Sequence, residues 1–133
     1  MHAREPLSAI RVTASPVALD EAVWPEGVSV LRTAADEVLA IGDPVEWPVL
    51  GDRHAITVLD SGWVGFRVSF DGAAWLMQCR ADWPLPADGF AQGMIAGLAA
   101  KVVVEDEDVL FVVAAVVAAE FEERLHEVWE GDR

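Results

Sequence analysis

Side chains able to do acid–base or nucleophilic chemistry are few and scattered in this sequence. Its 133 residues hold three histidines and one cysteine. His54 lies where a strand leaves a loop, and His126 sits beside Leu125 in an acidic helical segment. Neither has a Cys or Ser nearby in the setting of an activated nucleophile, so structural or solvent-facing roles are the plainer reading. Cys79 has no cation or histidine adjacent in sequence to stabilise a thiolate. A lone cysteine forms no intrachain disulfide, and no Cys/His cluster has metal-ligand spacing. The run Glu105-Asp106-Glu107-Asp108 offers carboxylates, but a calcium loop spreads its oxygen ligands over about 12 residues around a central glycine. Four consecutive acids read instead as a solvated turn. Gly89, Gly93 and Gly97 recur at every fourth position, with no Gly-Lys-Ser/Thr and no Gly-x-Gly-x-x-Gly after a strand. They read as turn and packing glycines.

Tryptophan is the abundant residue of chemical interest, six in all: Trp24, Trp47, Trp63, Trp75, Trp83 and Trp129. Trp24, Trp47 and Trp83 each directly precede a proline inside a loop. Aromatic side chains are enriched at protein interfaces, which makes these three the interface candidates. Charge narrows the partners. With 23 acids against 9 bases the net charge is −14, and Lys101 is the sole lysine. Nucleic acids are bound by Lys and Arg neutralising phosphates, and anionic membrane surfaces attract the same residues, so both are disfavoured. The expected partner is protein.

The longest apolar run, Val109 to Ala119, falls well short of the roughly 20 residues of a membrane-spanning helix. The opening Met1 to Pro6 carries an early acid and a proline with no signal-like apolar core after it, and a cytoplasmic location is the expectation. A chain of this size removes about two thirds of its unfolded surface from water, enough for one core.

The elements follow from periodicity. Residues 1–27, with Pro6, Pro16 and Pro25 and no firm period, read as an N-terminal arm with little regular structure. Residues 28–133 read as a single α+β domain. Val28 to Arg32 and Val38 to Gly42 are strands joined by a tight connection, and Asp43 to Arg53 is a loop broken by Pro44, Pro48 and Gly51. His54 to Leu59 reads as a strand turned by Asp60-Ser61-Gly62. Val64, Phe66, Val68 and Phe70 alternate with Gly65, Arg67 and Ser69, the cleanest strand signal in the chain. Asp71 is the expected N-cap of a short helix to Cys79. Met94 to Val104 and Val109 to Val113 read as a hairpin about the acidic turn. Val117, Phe121, Leu125 and Val128 then make one apolar stripe of a closing helix. A mostly antiparallel sheet with two helices packed on one face is the predicted architecture.

Taken in order, these segments resemble a known family. Val30-Leu31-Arg32-Thr33-Ala34-Ala35-Asp36-Glu37-Val38-Leu39 is similar to the stretch of sarcosine oxidase gamma subunits in which Leu-Arg is followed by Pro-Asp-Glu-Trp-Leu-Leu. Ala35 stands in the proline position and Val38 in that of the tryptophan. Val58 to Ser69 resembles the family's next strand, Asp71 to Met77 the helix after it, and Phe90-Ala91-Gln92-Gly93 its Phe-x-x-Gly. The resemblance spans residues 28 to 129 and implies an aminomethyltransferase-like folate-binding fold, that of the glycine-cleavage T-protein. It implies a non-catalytic accessory subunit of a flavin-dependent amine oxidase, with FAD, FMN, NAD and tetrahydrofolate held by the larger subunits and no cofactor bound by this chain alone. The alternative within the same class is a stand-alone protein binding a folate or another small molecule, with Asp60, Trp63 and Arg67 as its polar and stacking candidates.

Overall fold

A computed structural model describes residues 4–106 and 108–131, so Glu107 of the acidic turn lies outside the described residues, as do Met1 to Ala3. The chain divides into two compact units, one of Leu7–Ser61 and one of Gly62–Arg133 joined by Met1–Pro6. Both are α+β and built on antiparallel strands.

The expectation of an N-terminal arm with little regular structure fails. Residues 1–27 contain strands β1 (Glu5–Leu7) and β2 (Ala9–Thr13) and helix α1 (Pro16–Glu21). Apolar Ile10 and Val12 alternate with Arg11 and Thr13, which puts two aliphatic side chains on one face. Helix α1 starts where Ser15 Oγ accepts from Ala18 N at 3.2 Å, and Pro16 occupies the first turn, where its missing N–H costs nothing. Strands β3 (Ser29–Ala34) and β4 (Glu37–Ile41) form the predicted hairpin, with a bulge between Arg32 and Ala34. Strand β5 (Ile56–Leu59) completes a four-stranded sheet in the order β3-β4-β2-β5. Its core joins Ile10, Val12, Val38 and Ala40 of the sheet to Ala18 and Leu19 of α1.

The unit of Gly62–Arg133 with Met1–Pro6 is a five-stranded sheet ordered β1-β6-β9-β8-β7. Its further strands are β6 (Trp63–Ser69), β7 (Gly89–Ile95), β8 (Leu98–Val104) and β9 (Asp108–Ala114). Helix α2 (Phe70–Arg80) follows β6 directly, and α3 (Ala118–Gly131) closes the chain after a single 3-10 turn at Ala115–Val117. Phe66, Val68, Val109, Phe111 and Val113 point to one face and share a core with Ala73, Leu76 and Met77 of α2 and Phe121, Leu125 and Val128 of α3. Both helices therefore cover the same face, as the sequence predicts. The Phe121 ring meets Phe66 at 5.5 Å and Phe111 at 6.1 Å between centroids, both tilted, a favourable aromatic geometry.

Two local details differ from expectation. Ser69, not Asp71, caps α2, its Oγ accepting from Gly72 N at 3.1 Å, because the helix begins two residues earlier than expected, at Phe70. The stretch Met94 to Val104 is not one strand. It turns at Ala96 and Gly97, with φ of 53° and 80°, the pair of positive values that a two-residue type I′ hairpin turn needs. The turn is tied to both helices: Ala96 N donates to Arg80 O at 2.8 Å and the Arg124 guanidinium donates to Ala96 O.

Gly93 is a packing glycine in the strict sense. A Cβ there would lie 2.7 Å from the Trp83 indole, whose Nε1 donates to Met94 O at 2.9 Å. Gly93→Ala should therefore drive the indole off its acceptor and lower stability by about 1–3 kcal/mol, the usual cost of overpacking. Urea denaturation checks this, and a midpoint equal to that of the parent chain refutes the packing account.

Candidate functional site

The sheet face opposite the helices carries the most structured site. Register sets it: Trp63 pairs with Ala114, Lys101 with Val112 and Gln92, and Met94 with Ala99. These side chains alternate away from the phenylalanine face and so share the opposite one. Small Ala99 and Ala114 lie in the same region as large Met94 and Trp63, and a hollow of about 330 Å³ results. Lys101 Nζ stands 5.1 Å above the Trp63 ring, a cation–π contact, and donates to Gln92 Oε1 at 2.9 Å. Trp63 Nε1 is buried and meets no acceptor among the described residues. The arrangement can hold an apolar body and one negatively charged group. It brings together no acid–base pair.

Of the three small-molecule candidates from the sequence, Trp63 lines this groove. Arg67 lies farther along β6 on the same face, where Nε donates to Glu5 Oε1 at 2.9 Å and Nη1 to Glu105 Oε1 at 3.0 Å. Partial burial works against the Arg67 cation, but the hydrogen bond and charge of Glu105, and then Glu5, outweigh it and raise its pKa. Arg67 thus fastens edge strand β1 and the β8–β9 turn to β6. Asp60 belongs to the other unit, at the end of β5, and accepts from Arg11 Nη2 at 2.8 Å. Sequence reasoning missed Lys101 and Gln92 as site residues. The available signal was a single lysine interrupting the apolar run of β8.

Among the interface candidates, Trp24 and Trp47 are half-buried against the α1 core, and Trp83 is half-buried over Gly93. A second, larger hollow of about 570 Å³ lies beside α2, lined by Phe70, Ala74, Met77, Trp83 and Leu85 among others. His54 accepts from Arg53 Nε at 3.3 Å, and His126 is exposed on α3. Among the described residues, no three His, Cys, Asp or Glu side chains converge as metal ligands. No described helix is long and apolar enough to cross a membrane.

The other distinctive surface is β5. Among the described residues it is an edge strand, laddered to β2 alone, and all four of its residues are exposed: Ile56 by 60%, Val58 by 55% and Leu59 by 84%. Lys residues, bulges or prolines usually blunt such an edge. Ile56-Thr57-Val58-Leu59 has none of these. Neither protein-family models nor curated protein sequences give a match to this chain.

The loop that leads into β5 is held by Asp52, whose Oδ1 accepts from His54 N and Oδ2 from Ser15 N, each at 2.8 Å. These bonds, the one from His54 foremost and then that from Ser15, favour the carboxylate and lower its pKa from the ordinary aspartate value. A depressed folded-state pKa contributes stability above the unfolded value, and that contribution is lost as pH falls through the folded one. Asp52→Asn should flatten the acid limb of the stability curve below about pH 5 while leaving a folded protein at neutral pH. Urea titrations across that range decide it, since an unchanged acid limb would remove Asp52 from the account.

Proposed function

We propose that this chain is a non-catalytic accessory subunit whose work is association, gamma-like, in a cytoplasmic flavin-dependent amine oxidase of the sarcosine oxidase type. The observation that carries the reading is the uncharged β5 edge. It presents backbone hydrogen-bonding groups and three exposed aliphatic side chains to a partner strand. Self-association is opposed by charge, since two copies would bring together two surfaces of net −14. A different protein of opposite charge fits better. The resemblance over residues 28 to 129 supports the finer reading, in which the fold is aminomethyltransferase-like and the larger chains hold FAD, FMN, NAD and tetrahydrofolate.

Val58→Lys puts a charge on the exposed edge without touching the core. It should keep the thermal transition of the parent chain within the roughly 0.5 kcal/mol typical of surface changes. It should also abolish co-purification with co-expressed flavin-dependent subunits from adjacent reading frames. Amine-oxidising turnover by the isolated chain, or co-purification indifferent to Val58→Lys, would sink the proposal.

A further inference from the structure

The Trp63–Lys101 groove lies on different residues from the β5 edge, so the inference drawn from it and the association reading fail or stand separately. We propose that this groove binds a small aromatic carboxylate, with its carboxylate on Lys101 Nζ and the Gln92 amide and its ring in the trough between Met94 and Trp63. Shape, chemistry and charge each narrow the ligand to this class.

The hollow of about 330 Å³ sits at the small end of ligand sites, which run from about 300 to 1,000 Å³. One ring and a short acidic arm fill it. Its walls are a thioether, an indole and the methyl groups of Ala99, Ala114 and Val112, surfaces that favour a flat apolar body. The polar groups are clustered rather than spread: Lys101 Nζ and the Gln92 carboxamide meet at 2.9 Å. Because Gln92 Oε1 accepts from Lys101, its Nε2 is left as a second donor for the same acceptor group. Trp63, which lines the same hollow, has a buried Nε1 with no acceptor among the described residues, a donor left to be satisfied.

The charge of the whole chain then selects against alternatives. A net −14 repels anions at long range, so an anion is retained only by direct contact with a local cation, and more strongly charged ligands are penalised further. A phosphate ester or dicarboxylate needs more than one such cation. A monocarboxylate needs one.

Cinnamate and its neutral analogue cinnamamide are suitable probes of the full-length chain, followed by isotope-edited NMR. Cinnamate should shift the Trp63 indole and Gln92 side-chain signals saturably, with a dissociation constant of about 1 mM or below. Lys101→Met, which keeps the apolar stem over Trp63, should weaken cinnamate about tenfold and leave cinnamamide unchanged, as expected for a lost charged hydrogen bond. Ala99→Leu, an exposed change that fills the trough, should abolish binding of both probes while the remaining spectrum stays native. Shifts that fail to saturate, that saturate in the α2 hollow, or that survive either substitution unchanged would overturn the assignment.

Discussion

Phe121 wedged between Phe66 and Phe111 is the contact on which the larger unit depends. Its centroid distances of 5.5 Å and 6.1 Å join the last helix to the neighbouring strands β6 and β9, all three rings fully buried. Because side chains alternate with a period of two, fixing Phe66 opposite Phe111 fixes every other residue of β6 and β9. A slip of one residue would bring Arg67 and Trp63 against α3 and carry the phenylalanines to the opposite face. The aromatic cluster therefore decides what the opposite face presents, although none of its atoms lies there.

That face is hollow for a reason of size rather than sequence motif. Where β6 and β9 meet β8, the outward positions hold Trp63, Ala114, Val112, Lys101 and Ala99, a mixture of two long side chains and three short ones. Long side chains beside short ones leave a trough, and a lysine can lay its methylenes along a ring while keeping its charge at the rim. Gly93 adds to this indirectly. By leaving room for Trp83 on the other side of β7, it keeps Met94 O engaged and the Met94 backbone in register with Ala99.

Much of this was legible in the sequence, and the losses have identifiable physical causes. The alternation of Val64 through Phe70 located β6, and the helical stripe Phe121, Leu125, Val128 located α3, since burial on one face leaves a strong period. Strand β2 was missed although Ile10-Arg11-Val12-Thr13 alternates as cleanly, because its five residues sit between prolines that argue for irregular chain. The Ala96-Gly97 turn was missed for a different reason. Alanine carries no preference for positive φ, and its conformation is imposed by the bonds from Arg124 and to Arg80, which a linear reading does not contain. The groove belongs to the same category: Lys101, Gln92 and Trp63 are 38 residues apart at the extremes and meet only through strand pairing.

Charge and edge chemistry together make the association reading more than an appeal to resemblance. An exposed apolar edge strand favours any extended chain, including another copy of itself, and natural proteins ordinarily suppress that with a charge on the strand. Here the strand has none, while the rest of the chain is so acidic that like copies repel. Repulsion spread over the whole surface acts at a distance and against every acidic partner, whereas a lysine within β5 would block all partners equally. Suppressing self-pairing by global charge leaves the edge open to a chain of opposite sign. This is the arrangement expected of a strand that is meant to be covered by something other than itself.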